Sequence, residues 1–186
     1  MKISVKNMVC NRCIAAVELI FGELQINISH ITLGEIETKK DLDQQQLETL
    51  NTKLKAAGFE ILEDFSKKQI EKIKTSIIQK IAGEDLDDDF VLSEFLTSLL
   101  SRDYSSISKL FSGNESVTLE QYFILQKIEK AKELLLYKEL NLTEISQKLG
   151  YKSVQHLSSQ FKKITGFSPT HFLQSKEKKR IALDQI

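Results

Sequence analysis

Residues 3–8 set Ile3 and Val5 against Ser4 and Lys6, the two-residue period of a half-buried strand. Beyond Cys13 the period changes, and Ile14, Val17, Ile20, Phe21 and Leu24 recur at the spacing of one helix face. Two strand-like stretches follow, Ile28–Leu33 and Glu35–Thr38, interrupted at Gly34. Asp43 precedes a second helical pattern with Leu47, Leu50, Leu54 and Ala57 on one face and Gly58 as its stop. Phe59–Leu62 reads as a closing strand. The order β-α-β-β-α-β predicts a ferredoxin-like domain over residues 1–65.

Residues 66–82 predict one further helix, with Ile70, Ile73, Ile77 and Ile81 on a single stripe. The stripe covers less than two heptads, so it reads as core packing rather than as a coiled coil. Gly83 and the run Glu84-Asp85-Leu86-Asp87-Asp88-Asp89 mark a boundary, and 66–89 is expected to be a linker helix followed by a solvated acidic linker. From Phe90 onward only helical patterns occur, at about 91–101, 104–112, 118–138, 142–149, 153–165 and 169–180. The expected fold class is α+β: the ferredoxin-like domain, then an all-α domain over 90–186 with two helix-turn-helix units.

The pattern is sharpest at Asn141–Ser153. Asn141 can cap a helix, and Glu144 can return the bond as a capping box. Leu142, Ile145 and Leu149 give that helix an apolar face, Gly150 stops it, and Ser153 caps the next helix after a short turn. On that next helix Val154, Leu157, Phe161 and Ile164 are expected to face a core, with Gln155, His156, Ser159 and Lys163 opposite. Gln, His and Ser carry donors and acceptors for base edges, and Lys suits phosphate or guanine. A weaker copy lies upstream. Ser93 opens a helix with Phe95, Leu96, Leu99 and Leu100, and Asp103 caps a helix that buries Ile107, Leu110 and Phe111 and exposes Ser105, Ser106 and Lys109. Between the copies Thr118-x-x-Gln121 caps a helix of about 20 residues, roughly 30 Å long, on which Phe123, Ile124, Ile128, Ala131 and Leu135 are expected to face a core. That is close to the roughly 34 Å between successive major-groove faces of B-DNA.

Charge supports this division of labour. The formal net charge is zero, yet Ser93–Ile186 holds 14 Lys+Arg against 10 Asp+Glu, and Met1–Leu92 holds 12 against 16. The basic half is the candidate for a polyanion. No apolar run approaches a membrane span. The charged N-terminus does not read as a signal peptide, so the cytoplasm is the expected location, with no membrane partner. No glycine-rich phosphate loop and no Ser/His/Asp or paired-carboxylate arrangement suggests an enzyme.

Residues from about Phe90 to Leu173 resemble the DNA-binding region of AraC/XylS-type transcription regulators. The resemblance rests on Ser108-Lys-Leu-Phe111, Lys130-Ala-Lys-Glu-Leu-Leu-Leu136, Glu144-Ile…Leu149-Gly-Tyr and His156-Leu…Phe161-Lys-Lys…Thr165-Gly-Phe-Ser-Pro169. It implies sequence-specific binding of double-stranded DNA. Ser105, Ser106 and Lys109 would lie in one groove, with Gln155, His156 and Ser159 in the next. Ser153 and Lys163 complete the expected contact set. Two departures stand out: the first recognition helix is serine-rich with no glycine in its turn, and the effector-binding β-barrel usual in such regulators has no counterpart.

The only two cysteines form Cys10-x-x-Cys13, where a strand hands over to a helix. The positive helix end and Arg12 favour thiolates, and two soft thiolates suit Cu(I), whereas zinc would want two more ligands. Residues 1–65 resemble heavy-metal-associated domains, which share the element order and a Met-x-Cys-x-x-Cys loop, but Asn7 stands where that family usually has glycine. Three readings of the pair remain open: a Cu(I) or other soft-metal site, a metal-free fold serving as a dimerisation or partner platform, and a reversible dithiol. His30 reads as a surface residue and Met8 as packing. A regulator modulated through this module is the leading expectation. The alternative is a Cu(I) chaperone or storage protein that does not bind DNA.

Overall fold

The computed structural model describes residues 1–175 and 179–186. The chain divides into two compact units, Met1–Thr75 and Ser76–Ile186.

The first unit follows the order β1 (Lys2–Lys6), α1 (Asn11–Glu23), β2 (Ile28–Thr32), β3 (Glu35–Thr38), α2 (Gln44–Ala56) and β4 (Glu60–Leu62). The sheet order is β2-β3-β1-β4, and each neighbouring pair is antiparallel. The first strand is therefore central, flanked by β3 and β4. Its alternation explains the placement: Ile3 and Val5 are buried, and they meet Val17 and Phe21 of α1, Ile36 of β3, and Leu50 and Leu54 of α2 in one apolar cluster. Asp43 accepts from the Gln46 N–H and Gln46 returns a bond to the Asp43 N–H, so α2 starts at a complete capping box. A long helix, α3 (Phe65–Ala82), buries Ile70, Ile73, Ile77 and Ile81, the stripe read from the sequence.

The second unit contains α4 (Leu92–Leu100), α5 (Tyr104–Ser112), α6 (Leu119–Tyr137), α7 (Leu142–Lys148), α8 (Val154–Thr165) and α9 (Pro169–Gln174). The helix expected over 169–180 ends at Gln174, and its positions 176–178 lie outside the described residues. Helix α6 is buried on more sides than the single face expected of it. Besides Ile128, Ala131 and Leu135 it buries Tyr122, Gln126, Lys127, Glu129 and Lys132. The C-terminal segment accounts for part of this. Gln126 Nε2 donates to the Leu183 carbonyl, the Ile181 N–H donates to Glu129 Oε2, and Arg180 pairs with Glu133 at 2.9 Å.

Two expectations need correction. The acidic run is not a solvated linker throughout. Leu86 is 2% exposed, its N–H donates to the Lys148 carbonyl, and it forms a parallel bridge with Leu149. Glu84 pairs with Lys130 at 2.9 Å and Lys148 at 3.3 Å. One apolar side chain and one well-placed carboxylate thus dock a segment whose average composition reads as solvated. Ile164, expected in the core, is 40% exposed. At about 100° per residue it falls at the edge of the apolar arc centred on Leu157 and Phe161, both fully buried.

Candidate nucleic-acid interface

Helix α7 starts where Asn141 accepts hydrogen bonds from the N–H groups of Thr143 and Glu144, while Glu144 accepts from the Asn141 N–H at 2.7 Å. It stops at Gly150, whose φ is +61°. A Cβ on Gly150 would lie 2.5 Å from the Asp87 carbonyl oxygen and 3.0 Å from that of Leu86, so glycine is required for space as well as for backbone conformation. Tyr151 follows, buried, with its hydroxyl donating to Gln160 Oε1 at 2.6 Å. The Lys127 ammonium lies 3.7 Å from the centre of the Tyr151 ring, and burial holds its pKa down at about 8. Tyr151 therefore ties the turn to α6 through Lys127 and to α8 through Gln160.

Ser153 caps α8 by accepting from the His156 N–H. With Leu157 and Phe161 turned into the core, Gln155, His156, Ser159 and Lys163 are all exposed, within an arc of about 100°. His156 also meets the Tyr151 ring edge-on at 5.3 Å. Lys152 and Lys162, not singled out in the sequence, are exposed as well. The helical wheel carries the signal for Lys162, which falls about 20° from Gln155. Lys127 was missed because it lies between the apolar positions of a helix read as having one buried face.

The first unit of the pair is built differently. Ser101, with φ +50°, ends α4 where the other turn uses glycine. Asp103 caps α5: Oδ1 accepts from the Ser106 N–H at 2.9 Å and from the Ser105 hydroxyl at 2.6 Å. These bonds, the Ser105 hydroxyl foremost, hold the Asp103 carboxyl at about 2. Ile107 and Phe111 are fully buried. Of the three residues expected to face DNA here, Lys109 is exposed, Ser105 is exposed with its hydroxyl engaged, and Ser106 is half-buried.

The two thiols sit at the start of α1, away from these helices in sequence. Cys10 is exposed and Cys13 half-buried, with their sulfurs 3.5 Å apart and the Cys13 N–H donating to the Cys10 carbonyl. Burial pushes the Cys10 thiol up, but bonds from the Cys13 N–H and thiol and from the Arg12 N–H, with the Arg12 charge, bring it below its ordinary value. Burial, reinforced by the neighbouring Cys10 sulfur, raises Cys13. Met8 is fully buried, His30 is exposed, and no group of three or more His, Cys, Asp or Glu gathers among the described residues. Asn7 holds φ +70°, donating through its side chain to the Gly58 carbonyl and through its N–H to Glu71. Asn is the side chain best suited to that conformation after glycine.

Among the described residues no helix is long and apolar enough to cross a membrane. A helix-turn-helix domain model matches residues 96–175. The probable transcriptional regulator LumQ of Photobacterium leiognathi is 24% identical over 143 residues, 76% of this chain and 57% of its own length. The xylose operon regulatory protein of Escherichia coli strain K12 is 35% identical over 68 residues, 37% of this chain and 17% of its own length. The chain therefore spans less than two thirds of these relatives. The solved C-terminal domain of AraT, a response regulator from Geobacillus stearothermophilus, aligns with a TM-score of 0.48 at 26% identity, over 59% of this chain and 87% of that one. The stretch matched by the helix-turn-helix model runs from within α4 through α9, so it takes in both helix pairs, α4–α5 and α7–α8.

Proposed function

We propose that the chain is a sequence-specific transcription regulator that binds double-stranded DNA, inserting α5 and α8 into adjacent major grooves. The observation that carries this reading is the exposed Gln155/His156/Ser159/Lys163 arc, opposite the buried Leu157 and Phe161 and beside a turn held by Gly150 and Tyr151. In the proposed complex Gln155 and Ser159 meet base edges, His156 meets a base or phosphate, and Lys163 and Lys109 meet phosphate or guanine. Ser153 lies at the helix start, where its N-terminal dipole favours phosphate. Ser105 and Ser106 take the corresponding places on α5. The test is site selection from random duplex DNA followed by gel-shift titration. The selected site should bind in a salt-sensitive manner. Failure to enrich any sequence, or undiminished affinity after both Gln155→Ala and Lys163→Ala, overturns the reading.

We read the N-terminal unit as ferredoxin-like and similar to heavy-metal-associated domains, a reading supported by its element order and by the central position of β1. Its two sulfurs fit a two-coordinate soft ion such as Cu(I), and among the described residues no group of three or more His, Cys, Asp or Glu offers the further ligands zinc takes. In that reading Cys10 and Cys13 hold the ion, and the unit serves as a sensing, dimerisation or partner module. Competition against a Cu(I) chelator, with Cys10→Ser/Cys13→Ser as control, tests it. Copper retention with no selectable DNA site would favour the chaperone or storage role.

A further inference from the structure

The Cys10–Cys13 pair has the geometry of a redox couple, independent of any DNA reading. The sulfurs are 3.5 Å apart in the first turn of α1, and a disulfide bond is about 2.05 Å long, so closing the remaining gap takes small side-chain rotations. Access is unequal. Cys10, at the N-cap, is open to solvent, whereas Cys13 stands half-buried behind it. In the metal-free chain both sulfurs are available: Met8 of the same loop is fully buried, and among the described residues no group of three or more His, Cys, Asp or Glu gathers.

We propose that Cys10 and Cys13 form a thiol–disulfide exchange site for small-molecule disulfides, with Cys10 attacking and Cys13 resolving. The Cys10 thiolate attacks one sulfur of R–S–S–R, that S–S bond breaks, and R–S⁻ leaves to become R–SH. Cys13 then gives up its proton and attacks Cys10 Sγ, and the second R–S⁻ leaves and is protonated. Two electrons pass from the pair to the small disulfide. The products are a Cys10–Cys13 disulfide and two R–SH, and excess thiol drives the sequence backwards.

The test uses the full chain equilibrated with oxidised and reduced glutathione at graded ratios, quenched by thiol alkylation and read by intact mass. The wild type should lose both alkylatable thiols together and retain no glutathione. Cys13→Ser should accumulate a glutathione adduct on Cys10, and Cys10→Ser should react about tenfold or more slowly, since its remaining sulfur is the less accessible one. Circular dichroism establishes that both variants are folded. A wild type that keeps two thiols in fully oxidised glutathione, or that holds a stable glutathione adduct, overturns the proposal. So does a folded Cys10→Ser variant that reacts as fast as Cys13→Ser.

Discussion

In α7–α8 the turn bends at Gly150 and in α4–α5 at Ser101, and both residues hold positive φ, +61° and +50°. The same backbone conformation is thus reached with and without a side chain. The difference lies in the surroundings. Backbone carbonyls of Leu86 and Asp87 press on Gly150, whereas Ser101 is exposed. The caps differ too: α8 starts at the neutral Ser153, and α5 starts at the Asp103 carboxylate, which engages the Ser105 hydroxyl and the Ser106 N–H. An anion at the head of a helix suits the helix dipole and opposes a phosphate backbone. One unit is braced by its neighbours and leaves its polar arc open, while the other is self-capped and uses up part of its own polar surface.

The sharpest way to break that contrast is to give both turns the opposite residue. Gly150→Ala should cost about 3 kcal/mol in a denaturant or thermal titration, combining a left-handed alanine with a collision against backbone. Ser101→Gly should stabilise by a few tenths to about 1 kcal/mol. Equal responses would mean that the Leu86–Asp87 contact does not distinguish the turns. Next in size is recognition. On a selected site Gln155→Ala should weaken binding by about 2 kcal/mol, roughly thirtyfold, and relax preference at one base pair, while Ser105→Ala should stay within about threefold. A larger loss from Ser105→Ala would reverse the ranking of the two helices.

Smaller and less selective effects should come from the lysines. Lys163→Ala should weaken binding to all sequences alike and reduce the salt slope by about 1, as should Lys109→Ala if α5 follows the backbone. A slope unchanged by Lys109→Ala would leave α8 as the sole docking helix. The smallest expected difference is one of pH. The folded-state pKa of Asp103 lies at about 2, below the ordinary aspartate value of 3.8, so its capping contribution is complete above about pH 4 and disappears as pH falls through about 2. Asp103→Asn keeps an acceptor and should flatten that part of the acid-stability curve, whereas Ser153 gives α8 no titratable cap. Identical acid curves for wild type and Asp103→Asn would remove the cap from the account.

The capping boxes at Thr118 and Asn141 were legible because a cap and its N3 partner are three residues apart and need nothing else, whereas at Asp43 only the helix start was read and the Gln46 half of the box came from the structure. The exposed arc of α8 was legible because Leu157 and Phe161 fix the opposite side by periodicity alone. Ile164, at the edge of the apolar arc, was not, since burial at an edge depends on which neighbour reaches it. The docking of Glu84 and Leu86 was hidden for a different reason: their partners Lys130, Lys148 and Leu149 lie more than forty residues away, and local composition outweighed one leucine.

Local pattern alone determined the element order, the starts of α2, α5, α6, α7 and α8, the left-handed glycine at 150 and the pairing of two thiols at one helix head. These rest on hydrogen bonds and periodicities spanning a few residues. Tertiary structure alone decided that β1 lies between β3 and β4, that Lys127 is buried under Tyr151, that Asn7 takes the left-handed conformation in the thiol loop, and that Cys10 rather than Cys13 faces solvent. Burial and strand neighbours are properties of distant segments brought together, and a short stretch of chain carries no record of what will cover it.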